Sequence, residues 1–484
     1  MDWFKFYFGV MKEALTYDDV LLVPKKSPVK SRKEIDASTK LTKKLKASIP
    51  LVSANMDSIT ESKMAISMAR HGGLGVIHQF MTAESETKEV LKVKRSENFI
   101  IENPYTLSPH VTLKEAKDTM AEHGVKGILV VDHYKKLVGI LTRRDIVFET
   151  DSNKRVEELM TKGNDLVTAP VGTSIEDAKE ILKKNRIEKL PIIDGEGILR
   201  GLISAKDIVK SAKYPQASKD NKGRLLVGAA VGVKEGYLQR TEKLLEAGCD
   251  VIVVDIAHGH SDLLLNSVRN LRKTFGDIQI AAGNIATAEA AHDLISAEVD
   301  AIKVGVGPGS TCVTRIVTGC GVPQLTAVMD VSRVSKEAGI PVWADGGMRG
   351  SGDVVKALAA GASLGFSGFL FSGTAETPGM TVLRNGRNYK IYRGSASFGA
   401  ALTRKDREKR DDMNPFDYTP EGVEAMVPYK GTVSQVLKGL IGGINSGISY
   451  CGARNIQEMQ KNAEFIRITP AGVKESGFHD VETV

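Results

Sequence analysis

Eight short apolar segments, each ending in glycine or a polar residue, constrain the fold of this chain more than any other feature. Near-continuous apolar character is typical of strands that are covered on both faces, as in parallel sheets. Most of the segments alternate with helical patterns such as Tyr237–Ala247 and Asp353–Ala360. Eight such alternations predict an α/β fold of the (β/α)8 TIM-barrel class rather than a doubly wound sheet. The segments cover residues 50–53, 74–78, 226–230, 251–255, 278–284, 301–304, 341–345 and 363–368.

Glycine-rich and polar segments lie at the ends of most of these predicted strands. In a (β/α)8 barrel the active site lies at the C-terminal ends of the strands, where the following loops meet. The sequence therefore predicts one ligand site that gathers these loops. They are Asn55–Asp57, Asp255–His260, Gly283 with Asn284, Gly305–Cys312, Asp345–Gly347 and Gly368.

Cys312 lies in the glycine-rich stretch Gly305–Arg315, just after the apolar segment 301–304. A thiol on such a turn is presented to a ligand, whereas a lone cysteine in a core is a small packing residue. Backbone N–H groups of a glycine-rich turn can also hold an anion beside the thiol. The stretch therefore indicates covalent chemistry on a phosphate-bearing substrate.

Charge and cysteine content argue against several other classes of protein. The 66 lysines and arginines against 59 aspartates and glutamates give a net charge of +7, which fits small anionic ligands and does not call for nucleic acid. The four cysteines include no C-x-x-C pair, so neither a disulfide framework nor a zinc site is indicated. The expected location is a reducing cytoplasm, and no apolar run is long enough to span a membrane.

About 150 residues separate the second apolar segment from the third, which is too many for a loop. They contain an internal repeat whose matching residues lie 62 positions apart: Ala116/Ala178, Val125/Ile187, Asp132/Asp194, Gly139/Gly201 and Asp145/Asp207. Each copy reads helix, strand, strand, helix, over 113–120, 127–131, 137–141 and 143–148 in the first copy and 175–182, 190–193, 199–203 and 205–211 in the second. Two copies at a fixed period predict a pseudo-symmetric pair inserted into the barrel.

Each copy carries a hydroxyl residue followed three positions later by an acid, Thr142 before Asp145 and Ser204 before Asp207. This spacing is typical of a helix cap. The same groups at a helix start can also hold the ribose and phosphate of a nucleotide. Asp145 and Asp207 are therefore candidates for a regulatory nucleotide site, with capping alone as the other interpretation.

Six motifs in order resemble the IMP dehydrogenase / GMP reductase family over nearly the whole chain from about Leu15. They are Gly305–Arg315, Asp255–Ser261, Ala344–Gly347, Tyr392–Gly394, Pro420–Glu424 and Val427–Gly431. The inserted repeat resembles the paired CBS domains of this family. The resemblance implies a homotetrameric (β/α)8 enzyme of purine-nucleotide chemistry. Its implied parts are a first barrel segment 11–94, a CBS pair 95–215, and a second barrel segment 216–484 with a flap at 397–419.

The resemblance also implies roles at the site. Both reactions of the family begin with attack of a thiolate on C2 of a purine nucleotide, and a hydride passes between C2 and a nicotinamide. Cys312 would be the nucleophile, and Thr314 would orient a leaving group or water. For a nicotinamide cofactor, NAD in the dehydrogenase, the implied contacts are Asp255, Asn284, Gly305 and Gly307.

The implied substrate contacts surround the same turn. Asp345 would accept both ribose hydroxyls, although a lone acid there can also cap a helix, and Glu421 would contact the purine ring. Phosphate sites of barrels follow the seventh and eighth strands. The remaining implied substrate residues are Ser310, Gly346, Gly347, Gly368, Phe369, Tyr392 and Ser395.

Potassium is the second implied cofactor. Its ligands would be carbonyl oxygens of the cysteine turn together with residues from the C-terminal tail of a neighbouring subunit. Carbonyl ligands leave no pattern of side chains, so this site rests on the resemblance alone. The implied ligands are Gly307, Gly309 and Cys312, with Glu475, Ser476 and Gly477 from the neighbour.

The direction of the reaction depends on the flap. Its length resembles that of the dehydrogenases, which oxidise IMP to XMP with NAD and use an Arg-Tyr pair to activate water. Here Arg410 is followed by Asp411, so the tyrosine is missing, and Arg404, Arg407 and Arg410 all remain candidates for the arginine. The segment Ala54–Asp57 resembles the reductases, which convert GMP to IMP with NADPH. We therefore expect the dehydrogenase activity first, the reductase second, and a nucleotide-sensing homologue with little turnover third.

Overall fold

The computed structural model describes residues 12–96, 100–101, 104–402 and 419–477. These residues form two compact units. The first unit comprises the described parts of Met1–Ser96, Gln216–Asp220 and Leu225–Val484, and the second comprises those of Glu97–Pro215 and Asn221–Arg224.

Eight parallel strands of the first unit form a closed barrel, and each overlaps one of the predicted apolar segments. The predicted (β/α)8 TIM barrel is therefore confirmed. Their side chains are almost all buried, because one set packs inside the barrel and the alternate set packs against the helices. The strands are Leu51–Ser53, Leu74–Ile77, Gly228–Val231, Val251–Asp255, Ile280–Ile285, Ala301–Val304, Val342–Asp345 and Leu364–Ser367.

Several helices of the first unit begin at a hydroxyl side chain that caps them. The Ser261 hydroxyl accepts a hydrogen bond from Leu264 N, and the Thr287 hydroxyl accepts one from Ala290 N. None of the described helices has the length and apolar character that a membrane span needs. The helices are Ser62–Arg70, Ala83–Ser96, Tyr237–Glu246, Asp262–Phe275, Ala288–Ser296, Thr314–Thr318, Gln324–Glu337, Ser351–Ala359, Val433–Tyr450, Ile456–Asn462 and Pro470–Glu475.

The barrel interior is a packed core. Trp343 and Phe366, from the seventh and eighth strands, stack there with ring centroids 5.8 Å apart. The Trp343 indole N–H donates to the carbonyl oxygen of Leu41 at 2.7 Å, and Leu41 belongs to a short hairpin. Space for a ligand is therefore left at the mouth of the barrel rather than along its axis.

Smaller sheets complete the first unit. A three-stranded antiparallel sheet follows the eighth barrel strand and leads the chain back to the mouth of the barrel. The strands outside the barrel are Val20–Leu22 paired with Phe465–Arg467, Thr39–Lys40 paired with Lys46–Ala47, and Val382–Arg384, Arg387–Arg393 and Glu424–Pro428 in the three-stranded sheet.

The second unit consists of the two repeat copies, and all eight predicted elements are present. Leu129 and Ile140 of the first copy pack against Leu202 of the second. One sheet contains Thr106–Leu107, Gly127–Val131 and Leu137–Thr142, and the other contains Ala169–Pro170, Lys189–Ile193, Leu199–Ser204 and Ile100–Ile101. The helices are Leu113–Glu122, Arg143–Ile146, Val156–Leu159, Ile175–Asn185 and Ala205–Lys213.

Candidate active site

A cavity of about 730 Å³ lies at the C-terminal ends of the barrel strands. It brings together residues from all the predicted site loops of the barrel. Cys312, Thr314 and Gly309 line it, as do all the residues predicted to contact substrate or cofactor: Ser310, Asp345, Gly346, Gly347, Gly368, Phe369, Tyr392, Ser395, Glu421, Asp255, Asn284, Gly305 and Gly307.

Cys312 begins a chain of hydrogen bonds that ends at a carboxylate. Its half-buried thiol donates to the Thr314 hydroxyl at 3.1 Å. That hydroxyl donates to Oε2 of Glu421 at 2.7 Å. The arrangement connects a thiol through a hydroxyl to a carboxylate, a geometry that can carry a proton away from the thiol.

Backbone hydrogen bonds fix the segments that carry this series of side-chain hydrogen bonds. Cys312 N donates to the carbonyl of Gly309 at 3.0 Å and closes the turn. Val313 N donates to the carbonyl of Glu421 at 2.8 Å, so the segment that carries the carboxylate is fixed against the segment that carries the thiol. The hydrogen bond from Thr314 to Glu421 therefore joins two segments whose backbones are already aligned.

Lys303 lies on the floor of the cavity and is not among the site residues predicted from the sequence. Its ammonium group contacts Asp255 Oδ1 at 2.6 Å, Asp345 Oδ2 at 2.9 Å, and Oδ1 of Asn284. Burial opposes its charge, but the carboxylates of Asp255 and Asp345 more than offset this and raise the pKa of Lys303 above its ordinary value. The residue is therefore a permanent cation between two acids.

A signal for Lys303 was present in the sequence. Within the strand Ala301–Val304, Ile302 and Val304 face the outer apolar layer, so the alternation of a strand directs Lys303 inward. A buried charge in an otherwise apolar strand is rare unless it is paired. The alternation of residues along the strand, together with a charged residue in an otherwise apolar strand, could have placed this lysine inside the mouth of the barrel.

Asp345 is held on one side and open on the other. Its Oδ2 accepts from Lys303 and from the Asn284 amide at 2.8 Å, and its Oδ1 accepts no hydrogen bond from a described residue. The Gln324 amide donates to the carbonyls of Val304 and Asp345 and thereby fixes the ends of two neighbouring strands. At Gly305, φ is +152° and a Cβ would collide with the Asp345 carbonyl.

Gly368 and Tyr392 line the cavity beside Asp345, since the strand before Gly368 pairs with the strand that ends at Asp345. A Cβ on Gly368 would lie 2.5 Å from the Met56 sulfur and 3.2 Å from the Tyr392 hydroxyl, so a larger residue there would displace the Met56 side chain. Burial, aided by the charge of Asp345, raises the pKa of Tyr392 to about 12. The hydroxyl therefore stays neutral and can donate to an anion. The Phe369 ring lies 6.2 Å from that of Tyr392.

Other predicted residues lie elsewhere. Glu475, Ser476 and Gly477 are not among the described residues that line the cavity. Arg410 lies outside the described residues, as do the other residues of 403–418. No cluster of metal-binding side chains occurs among the described residues. His260 contacts Asp293 at 2.9 Å.

Asp145 in the inserted unit makes the contacts of a helix cap. Its Oδ2 accepts from Thr142 N at 2.6 Å and from the Thr142 hydroxyl at 2.7 Å. Its Oδ1 accepts from the Thr161 hydroxyl at 3.2 Å. The side chain of Asp207 lies outside the described part of the structure. The observed contacts of Asp145 are those of the capping interpretation.

Fold and site together define a TIM-barrel enzyme with a thiol at the mouth of the barrel. More specifically, the chain belongs to the IMP dehydrogenase / GMP reductase family, since the model of the family domain matches residues 14–479. It is 56% identical to the inosine-5′-monophosphate dehydrogenase of Nitrosopumilus maritimus, over 97% of this chain and 99% of that protein. It is 53% identical to the enzyme of the same name from Aquifex aeolicus, over 98% and 96%.

Solved structures give the second comparison. A cysteine-to-alanine variant of GMP reductase from Trypanosoma brucei, in complex with guanosine 5′-monophosphate, superposes with a TM-score of 0.89. It is 45% identical in sequence, and the match covers 98% of this chain and 100% of that one. The same reductase in complex with guanosine 5′-triphosphate gives a TM-score of 0.78 at 40% identity, over 96% and 99%.

Proposed function

We propose that the chain is an IMP dehydrogenase, which oxidises IMP to XMP with NAD through a covalent intermediate on Cys312. The observation that carries the proposal is the hydrogen-bonded series from the Cys312 thiol through Thr314 to Glu421 at the mouth of the barrel. Relatives that are 56% and 53% identical over nearly the full chain are named as IMP dehydrogenases. This supports oxidation of IMP rather than reduction of GMP.

Substrate binding follows from the walls of the cavity. The open oxygen of Asp345 accepts the ribose hydroxyls, and the backbone N–H groups of Gly347 and Gly368 donate to the phosphate. Gly346, whose N–H already donates to the Phe366 carbonyl at 3.1 Å, has no side chain and lets the phosphate approach the backbone closely. The hydroxyls of Ser310 and Tyr392 donate to the same phosphate, with Phe369 and Ser395 beside them. Glu421 then lies where it can meet the purine ring. This arrangement directs C2 of the purine towards Cys312.

The proposed reaction proceeds through a covalent bond between the substrate and the sulfur atom of Cys312. The thiol gives up its proton through Thr314 to Glu421, and the sulfur adds to C2 of IMP. Bound NAD would supply the acceptor for a hydride from C2, and a thioimidate to Cys312 would remain. Water then adds to C2, the carbon–sulfur bond breaks, and XMP and the free thiol are released. Arg410 is the proposed base for this second half.

The cofactor site uses the other side of the cavity. Asp255 and Asn284 offer a carboxylate and an amide beside Gly305 and Gly307, which suits the hydroxyls and carboxamide of a nicotinamide nucleoside. The cavity continues from there to the segment Gly232–Tyr237, so there is room for more of a dinucleotide. Asp255 and Asn284 are both partly buried, which strengthens the hydrogen bonds that they make.

Potassium would be held by carbonyl oxygens. Within one chain these are Gly307, Gly309 and Cys312, with Glu475, Ser476 and Gly477 of a second copy completing the shell. Backbone carbonyls are suitable ligands for a hard cation, and a carbonyl that already accepts one hydrogen bond, as Gly309 does, keeps a second lone pair. A homotetramer is therefore part of the proposal.

The inserted unit is proposed to be a CBS pair that binds adenine or guanine nucleotides, with Asp145 and Asp207 at the two sites. Its pseudo-symmetry supports this assignment. The proposed boundaries are 11–94 and 216–484 for the barrel and 95–215 for the pair. A cytoplasmic location fits the four free thiols, Cys249, Cys312, Cys320 and Cys451.

GMP reductase is the second candidate function, and the 0.89 TM-score to the Trypanosoma brucei reductase favours it. Purified protein is assayed with IMP plus NAD and with GMP plus NADPH, following the absorbance of the reduced nicotinamide. We expect NADH formation from IMP only. NADPH consumption with GMP instead would establish the reductase, and nucleotide binding without turnover in either assay would favour a sensor.

A further inference from the structure

The loop Asn55–Ser58, which follows the first barrel strand, contacts several parts of the site at once. Asn55 is 4% exposed, and its amide donates to Asp255 Oδ2 at 2.7 Å. The Met56 sulfur packs against Gly368, which follows the neighbouring eighth strand. Consecutive residues of one short loop therefore reach both the proposed cofactor side and the proposed phosphate side of the cavity.

The same loop is fastened at its far end. Arg393 Nε donates to both oxygens of the buried Asp57 carboxylate, at 3.0 and 3.2 Å. The Ser58 hydroxyl accepts from Arg393 N at 3.2 Å and donates to Arg393 O at 3.3 Å. Since Arg393 ends a strand of the three-stranded sheet, the position of Asn55 is fixed by contacts outside the barrel.

Asp255 is held from two sides by chemically different donors. Lys303 supplies a cation to Oδ1, and Asn55 supplies a neutral amide to Oδ2. Two barrel strands separate the strand before Asn55 from the strand that ends at Asp255, so the amide reaches across the mouth of the barrel. Without that amide, the carboxylate could rotate about the ammonium group of Lys303.

We propose that Asn55 is a positioning residue for the dinucleotide: its amide orients the Asp255 carboxylate so that the carboxylate can accept a hydroxyl of the nicotinamide nucleoside. This inference rests on the proposed function, which places the cofactor beside Asp255. It assigns Asn55 no contact with the reacting atoms. A hydrogen bond to a charged group corresponds to about a tenfold change or more in affinity.

The test uses the full chain with three substitutions, Asn55→Ala, Asn55→Ser and Asn55→Asp. The dissociation constants of NAD and of IMP are measured separately by titration, together with kcat and KM. We expect Asn55→Ala to raise the dissociation constant and KM for NAD about tenfold, with the dissociation constant for IMP unchanged. Asn55→Ser keeps a short polar side chain if the alanine variant fails to fold.

The pH dependence of NAD affinity in Asn55→Asp distinguishes a positioning role of Asn55 from a purely structural one. At neutral pH its carboxylate repels Asp255, so NAD affinity falls below that of Asn55→Ala. Lowering the pH protonates the introduced group and restores an O–H donor, so the difference between the two variants shrinks. The matched control is Asn462→Ala, which removes an exposed asparagine whose amide donates to Gly452 O at 3.0 Å.

The outcomes separate this inference from the proposed function. If the unsubstituted protein uses GMP and NADPH, the titrations are made with NADPH and the same expectations hold for Asn55. Unchanged dinucleotide affinity in Asn55→Ala overturns the inference even if IMP oxidation is established. Equal losses of NAD and IMP affinity also overturn it, because they would show a general disturbance of the site.

Discussion

Lys303 shows how a single residue sets the charge balance of the cavity. Its ammonium group is buried between Asp255 and Asp345, and the carboxylates keep it protonated. Desolvation of a buried ion pair costs much of what the attraction gains, but removal of one partner leaves the other charges unpaired. The two sides of the cavity, one proposed for each ligand, therefore depend on the same cation.

Substitution Lys303→Met keeps the length of the side chain and removes its charge. We expect the free energy of unfolding to fall by about 3–5 kcal/mol, because two carboxylates then face each other without a counterion. We also expect both IMP and NAD to bind more weakly. Chemical denaturation and ligand titration measure the two effects.

The matched control for this change is Lys92→Met. Lys92 is an exposed lysine that pairs with Glu89 on a helix surface, and such pairs contribute about 0–1 kcal/mol. A loss of stability for Lys303→Met no larger than that of the control would contradict the account of the cavity floor.

Two helices show how elements are joined beneath the site. Glu86 on the helix Ala83–Ser96 is fully buried and accepts from Arg240 on the helix Tyr237–Glu246 at 2.5 Å. Arg240 also donates to the carbonyl of Met81 at 3.0 Å. Burial raises the pKa of Glu86 to about 8, although Arg240 opposes this. The contact between the two helices therefore depends on pH.

The sign of this dependence follows from the raised pKa. The folded state holds a proton on Glu86 that the unfolded chain releases near pH 4.3, so its contribution to stability is full below that pH and is lost as the pH rises through about 8. We expect Glu86→Gln to flatten the decline between pH 6 and 8 by up to about 1.4 kcal/mol per pH unit. Thermal unfolding across this range measures it.

Glu84→Gln is the matched control on the same helix. Glu84 is exposed and its hydrogen bond with Lys243 lowers its pKa, so its titration lies below this range. The control should decline with pH as the unsubstituted protein does. A Glu86→Gln variant that declines equally would show that Glu86 does not titrate between pH 6 and 8.

Over the whole molecule, the strands of the barrel could be predicted, but several of its key contacts could not. Apolar runs locate strands because a strand covered on both faces needs them. The meeting of Asp255, Lys303 and Asp345 depends on the register of three strands, and Asn55 reaches Asp255 over 200 residues of sequence. Glu86 with Arg240 likewise depends on how two helices pack, which no local pattern records.

The division into two units predicts that the barrel works without the inserted unit. Every residue that lines the cavity belongs to the first unit, and the chain leaves that unit after Ser96 and returns at Gln216. Replacement of residues 97–215 by a short glycine-serine linker should retain basal turnover and abolish any effect of adenine or guanine nucleotides. Loss of turnover in a variant that unfolds as cooperatively as the full chain would contradict this division of roles.

The central claim, a covalent bond between Cys312 and C2 of the purine, is tested most directly by mass spectrometry of turnover mixtures stopped by acid. With IMP and NAD, we predict a nucleotide adduct on the peptide that contains Cys312. We predict no adduct and no turnover for Cys312→Ala, which should still bind IMP, whereas Cys320→Ala, at an exposed thiol outside the cavity, should behave as the unsubstituted protein. Sustained NADH formation by Cys312→Ala would contradict the account.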